Sequence, residues 1–99
     1  INNNYKNPAN FSLQQNYPNP FNPLTTIEFS VSHMRSGSPV VVKVFDILGN
    51  EISTLVDIPE AIPGNYSTEW NAFSQPSGIY FLKMISNNYT ETKRMVLTK

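Results

Sequence analysis

Side chains that could do chemistry are few in this chain. Its 99 residues include one histidine and no cysteine. His33 lies in a polar stretch, SHMRSGSP (32–39), and could act as a general base or a metal ligand. No cysteine or second histidine is available to complete such a site, so we interpret His33 as a solvent-facing loop residue.

Carboxylates are the other candidates for chemistry. Two of them on neighbouring strands could hydrolyse a glycosidic bond, and a cluster of oxygens could bind calcium. They fall instead in turns or at polar positions of apparent strands, which predicts solvated surface. Asp46 begins the turn DILGN, and an Asx-type hydrogen bond to the turn backbone accounts for an aspartate at this position. We therefore predict no enzyme activity, no catalytic residue, no cofactor and no metal site. The acidic residues are Glu28, Asp46, Glu51, Asp57, Glu60, Glu69 and Glu91.

Charge and hydropathy exclude two further classes of protein. Lys plus Arg number seven and Asp plus Glu number seven, so the formal net charge is zero. Without a basic stripe, the sequence predicts no nucleic-acid partner. No apolar run is long enough to cross a bilayer, so no membrane span is predicted. The chain opens with Ile, which suggests a piece of a longer protein.

The elements that would position these residues are short strands. TTIEFSV places Ile27, Phe29 and Val31 on one face, and this alternation is typical of a strand with one buried face. Gly49 suits a tight turn and Asn87–Asn88 suits another. The pattern predicts an all-β, immunoglobulin-like antiparallel β-sandwich of about seven strands, with a barrel as the alternative fold. The predicted strands are 11–15, 25–31, 40–46, 51–56, 65–70, 79–85 and 89–99, and residues 57–64 are predicted to form a loop.

Prolines and asparagines dominate the beginning of the chain. Residues 1–10, INNNYKNPAN, read as a linker from a parent protein, and residues 11–99 as the folded domain. The stretch NYPNPFNP (16–23) contains three prolines, which exclude a helix and favour a stiff extended loop. Tyr17 and Phe21 are its predicted anchors.

The last segment, ETKRMVLTK, allows two interpretations. It could be a final strand whose basic residues protect a sheet edge from pairing. It could equally be an accessible edge that another protein grips by strand addition. Lys93, Arg94 and Lys99 surround Met95, Val96 and Leu97. Among the aromatic residues, an exposed pair such as Phe45 with Phe81 would instead favour a carbohydrate-binding module.

Four motifs occur in a fixed order: LQQNYPNPFNPLTTIEFSV, VVVKVFDILGNEISTLV, GNYSTEWNAFSQPSGIYFLKM and TKRMVLTK. In this order and spacing, the chain resembles the C-terminal sorting domain (type A) of the type IX secretion system over residues 11–99. The matching positions are Asn19, Pro20, Phe21, Asn22, Pro23, Asp46, Gly49, Gly64, Tyr66, Trp70, Ser77, Gly78, Tyr80, Lys93, Arg94, Met95, Val96 and Leu97. One departure is Asn71–Ala72, where many members have Asp-Gly.

The resemblance implies a non-catalytic sorting signal for the cell surface or exterior, reached through the periplasm. It implies three partners: an outer-membrane translocon, a surface sortase-like peptidase, and a catalytic or adhesive parent domain upstream. For translocon recognition we favour Lys93, Arg94, Met95, Val96, Leu97 and Lys99, with the proline-rich loop as the second candidate. The alternative function is an accessory module that binds polysaccharide or another surface ligand.

Overall fold

A computed structural model describes residues 10–32 and 37–99 of the chain. His33 and residues 1–9 of the predicted linker lie outside the described residues. Within them all regular structure is β-strand, and seven strands are present, as the sequence predicted. The strands are β1 (Ser12–Leu13), β2 (Leu24–Val31), β3 (Ser38–Asp46), β4 (Glu51–Ala61), β5 (Gly64–Asn71), β6 (Gly78–Ser86) and β7 (Tyr89–Leu97).

Two antiparallel sheets form the sandwich. One has the strand order β1-β2-β5 and the other has the order β4-β3-β6-β7. β1 contacts β7 and β4 contacts β5, so the edges of the two sheets lie over one another. Because the strands divide into two separate sheets, the predicted sandwich is confirmed and the alternative barrel is wrong.

Alternating apolar residues along the strands form the core between the two sheets. Ile27, Phe29 and Val31 of β2 are all buried, as their spacing predicted. Val40, Val42 and Val44 are buried in the same way on β3. Each such side chain contributes about 1.5–3 kcal/mol when it is fully removed from water. The apolar residues that recur at every second position of these strands therefore form the core.

Several predicted strand boundaries are wrong, and those of β4 and β1 differ most. Residues 57–64 were expected to form a loop, but β4 continues to Ala61. Pro59 is tolerated because β4 is an outer strand and the pairing register shifts opposite it, between Ser38 and Val40. β1 is also shorter than the predicted 11–15, with only Ser12–Leu13 in the ladder.

Candidate functional site

Most of the motif positions meet at one end of the sandwich. Asp46 pairs with Tyr80 and Gly78 pairs with Leu97 across neighbouring strands. Phe21 forms a parallel bridge with Leu97, which brings the beginning of the domain to the same place. We call this region the motif end. It comprises residues 16–24, 46–50, 70–80 and 94–99.

An aromatic group from both sheets closes the core at the motif end. The ring centroid of Trp70 lies 5.7 Å from that of Phe21 and 5.4 Å from that of Tyr80. All three side chains are buried, with Trp70 only 5% exposed. The Tyr80 hydroxyl donates to the carbonyl of Pro76 at 2.6 Å, and burial raises its pKa, helped by the charge of Asp46. These three motif residues therefore hold the two sheets together.

The proline-rich segment, residues 15–23, runs alongside β7. The Phe21 N–H donates to the Val96 carbonyl at 2.9 Å, and the Thr98 N–H donates to the Phe21 carbonyl at 3.0 Å. The peptide bonds before Pro18, Pro20 and Pro23 are all cis. The segment thus pairs with the outer edge of β7, which is the last strand in the order of its sheet.

Side chains of the same segment extend this contact. The Val96 N–H donates to Asn19 Oδ1 at 2.9 Å. The Arg94 carbonyl accepts from Gln15 Nε2 at 2.8 Å and from Asn19 Nδ2 at 3.4 Å. The outer backbone groups of Val96, the Arg94 carbonyl and the Thr98 N–H are therefore occupied by this segment. Of the two interpretations of the last segment, that of an accessible edge does not hold for this part of β7.

Two buried polar residues that the sequence analysis missed fix the shape of the segment. Asn16 Nδ2 donates to Thr25 Oγ1 at 2.9 Å and to the Pro18 carbonyl at 3.1 Å. Thr25 Oγ1 donates to the same carbonyl at 2.9 Å. Both Phe21 and Tyr17 were predicted as anchors; Phe21 is buried as predicted, but the prediction for Tyr17 is wrong, because its side chain is 77% exposed. Polar residues flanking a proline run were the only available signal.

The β3–β4 turn presents apolar side chains at the motif end. Asp46 Oδ1 accepts the N–H groups of Leu48 and Asn50, each at 2.9 Å, which confirms the predicted Asx turn. These hydrogen bonds lower the pKa of Asp46, and the bond from the Asn50 N–H has the largest effect. Gly49 has φ of 87°, as its place in the turn predicted. Ile47 and Leu48 are left exposed, at 68% and 83%.

The six residues favoured for recognition divide by burial. Met95 and Leu97 are fully buried in the core, while Val96 is half-buried. Arg94 and Lys99 are exposed. Lys93 is half-buried and forms an ion pair with Glu91 at 3.2 Å. Those that face solvent at the motif end are therefore Arg94 and Lys99.

Lys99 connects the end of the chain to the loop before β6. Its N–H donates to Ser77 Oγ at 2.9 Å, and its Nζ donates to the Phe73 carbonyl. The same Nζ lies 5.6 Å from the Phe73 ring centroid, within the range of a cation–π contact. Phe73 itself is largely exposed. Apolar and cationic side chains thus share this surface.

Glu91 joins β7 to the other sheet. Its Oε1 accepts the Leu13 N–H at 2.9 Å and the hydroxyl of Tyr89. The Tyr89 hydrogen bond, the Leu13 N–H and Lys93 together lower the pKa of Glu91 against a smaller opposing effect of burial. Burial and the Glu91 carboxylate raise the pKa of Tyr89.

Three motif positions lie outside the motif end: Lys93, which immediately precedes it on β7, and Gly64 and Tyr66, which lie far from it. Gly64 pairs with Val31 at the far end of β2. The Tyr66 ring stacks on Phe29 at 5.2 Å, and its hydroxyl donates to the Ile62 carbonyl. Both residues support the turn between β4 and β5.

In residues 10–32 and 37–99, no group of three or more His, Asp or Glu side chains is arranged to hold a metal ion. No helix in that part of the chain has the length and apolar character needed to cross a membrane.

Fold and motif end together define an immunoglobulin-like β-sandwich domain whose motifs converge on one surface. A family model described as secretion system C-terminal sorting domain matches residues 15–98, and the chain belongs to that family. No curated protein matched the chain. Domains of this family are C-terminal sorting signals of the type IX secretion system, and the family is not catalytic. The chain works with that system and a parent protein, and directs export to the cell surface or exterior.

Proposed function

We propose that the outer-membrane translocon recognises this sorting signal at the motif end. The supporting observation is that the proline-rich segment is hydrogen-bonded along β7 through Phe21 and Asn19. Val96 and Asn19 are 77 residues apart in the chain, yet they form one surface. The two segments that the sequence singled out for recognition are therefore a single composite surface, with Arg94 and Lys99 as its exposed cations.

This proposal includes the boundaries and partners of the domain. Residues 11–99 are the sorting domain and residues 1–10 are the linker, where a surface sortase-like peptidase cleaves. A parent catalytic or adhesive domain precedes the linker. The domain itself has no enzyme activity and binds no nucleic acid, in keeping with its zero formal net charge.

Point substitutions test the motif end better than truncation does. Deleting residues 93–99 would remove Met95 and Leu97 from the core, so a lost signal could simply reflect unfolding. Arg94→Glu with Lys99→Glu reverses the exposed charge instead. Lys43→Glu is the matched control, since Lys43 lies outside the motif end and forms only a surface ion pair with Glu51.

The assay is surface delivery of an inert periplasmic carrier fused to residues 11–99, in a bacterium with the type IX system. We expect the double variant to accumulate in the periplasm and the Lys43→Glu control to reach the surface. Circular dichroism of the purified domains verifies that each variant is folded. Normal delivery of a folded double variant would refute recognition through these two cations.

One observation favours ligand binding as a second candidate function. Phe45 and Phe81 are directly opposite each other on β3 and β6, and both are half-buried on the outer face of their sheet. Together with Ile47 and Thr92 they line a shallow depression of about 420 Å³. Lys83 Nζ lies 5.9 Å from the Phe45 ring centroid. Calorimetry against a glycan panel, with Phe81→Ala as the negative variant, tests this candidate, and an absence of binding would reject it.

A further inference from the structure

In β7, the backbone N–H and C=O groups of every second residue point toward the outer edge of the sheet. The odd-numbered residues of β7 face β6, because the Asn87–Asn88 turn makes Ser86 and Tyr89 a closely bonded pair. The backbone groups of residues 90, 92, 94, 96 and 98 therefore point away from β6. An edge of this kind is a template on which another extended chain can pair.

The proline-rich segment occupies only part of that edge. Residues 19–21 supply partners for the Val96 N–H, the Val96 carbonyl and the Thr98 N–H. The Arg94 carbonyl is occupied from Gln15 and Asn19. Among residues 10–32 and 37–99, nothing pairs with the outward N–H groups of residues 90, 92 and 94. The outer edge of β7 is thus hydrogen-bonded from the Arg94 carbonyl to Thr98, whereas the outward N–H groups of residues 90, 92 and 94 are open within the described part of the chain.

Arg94 gives this edge a preference for acidic partners. Its side chain is exposed and forms no ion pair with the described residues. Glu91, the nearest carboxylate along β7, is already bound to Lys93, Tyr89 and Leu13. An extended strand that carried a carboxylate opposite Arg94 would gain charge complementarity as well as backbone hydrogen bonds.

We propose that β7 is a strand-addition site for an acidic extended peptide, and that residues 15–22 are an internal guard that occupies its C-terminal half. A partner strand pairs along the full edge only after the guard has left. The guard is held at its edge contacts by hydrogen bonds that are each worth about 1 kcal/mol, while Phe21 is anchored in the core. This inference rests on the proposed function only in naming β7 as a recognition surface.

Amide hydrogen exchange in the unaltered domain tests the guard directly. We expect slow exchange at Val96 and Thr98, whose N–H groups are bonded to the guard, and fast exchange at Thr90, Thr92 and Arg94. The control is built in, because all five residues lie on or next to the same strand edge. Fast exchange at Val96 and Thr98 would show that the guard does not hold the edge in solution.

Peptide binding tests the strand-addition site. The probe is a short fluorescent peptide of alternating valine and glutamate, compared with one of alternating valine and lysine. Gln15→Ala with Asn19→Ala removes the side-chain hydrogen bonds of the guard and keeps Phe21. The matched control is Gln14→Ala, because the backbone of Gln14 pairs with Glu28 of β2 and not with β7.

We expect the double variant to bind the glutamate peptide about tenfold more tightly than the unaltered domain and the control, since weakening the guard frees the edge. The lysine peptide should bind the double variant more weakly. Equal affinity of all three proteins for the glutamate peptide would overturn the guard. Equal affinity of the double variant for both peptides would overturn the acidic preference. Neither result depends on export, so failure here is separable from failure of the proposed function.

Discussion

Phe21 and Tyr17 are both aromatic and lie in the same proline-rich segment, yet their roles differ. Phe21 is buried against Trp70, whereas the Tyr17 ring faces solvent. Its burial makes Phe21 a determinant of stability, and the exposure of Tyr17 leaves that side chain available for contact with a partner.

Phe21→Ala should lower the free energy of unfolding by about 3–5 kcal/mol, because it opens a cavity beside Trp70. Urea denaturation followed by circular dichroism measures this loss. Tyr17→Ala is the control from the same segment and should change the free energy by less than about 0.5 kcal/mol. Similar losses in the two variants would contradict the burial difference.

Glu91 makes the free energy of unfolding depend on pH. Its pKa in the folded domain is below the usual value of 4.5, so its ionised form stabilises the fold above that pH. The stabilisation disappears as the pH falls through the folded-state pKa. We expect Glu91→Gln to lose less stability than the unaltered domain between about pH 5 and about pH 3. Parallel pH profiles of the two proteins would exclude this role for Glu91.

At the level of elements, the sequence predicted what local periodicity and turn chemistry determine. Alternation identified the buried face of β2, and Asp46 with Gly49 identified the turn between β3 and β4. The loop predicted over residues 57–64 is instead largely strand. The segment contains Pro59, and a proline interrupts a central strand but is accepted on an outer one. Strand position within a sheet is a property of the whole fold, so it could not be read from the local pattern.

The motif end was predicted only in part, for the same reason. The sequence pointed to the proline-rich segment and to residues 93–99 separately. Their pairing depends on contacts such as the hydrogen bond from the Val96 N–H to Asn19 Oδ1, between residues 77 apart in the chain. No local period encodes such a contact, and a basic, apolar strand has the same pattern whether its edge is covered or free.

Gly49→Ala tests the β3–β4 turn as an element. Nothing lies within 4 Å of an added Cβ, so the cost comes from backbone conformation alone. With φ of 87°, alanine should lower the free energy of unfolding by about 1 kcal/mol. Gly49→Asn should cost less, because asparagine tolerates positive φ. Thermal unfolding of both variants measures the difference, and an unchanged midpoint in Gly49→Ala would contradict the strained turn.

At the scale of the whole molecule, one core joins the two sheets. The buried apolar residues run from Leu13 to Leu97 and come from both sheets and the proline-rich segment. A domain with one such core folds as a single unit. The strand edges are the exception, since their backbone groups are satisfied only where another segment pairs with them.

Removal of residues 1–10 should leave the thermal midpoint unchanged, because their asparagine-rich sequence with little apolar content predicts a linker outside the folded domain. Differential scanning calorimetry of residues 1–99 and 11–99 makes the comparison. A lowered midpoint in the shorter protein would mean that the sorting domain begins before residue 11.

Trp70 is the sole tryptophan of the chain, and it sits between a ring of the proline-rich segment and a ring of the four-stranded sheet. Its indole emission is therefore a built-in optical reporter of how closely these parts are apposed. Water reaching the indole when Phe21 withdraws would shift that emission to longer wavelength. Departure of the guard could then be followed in real time without an attached dye.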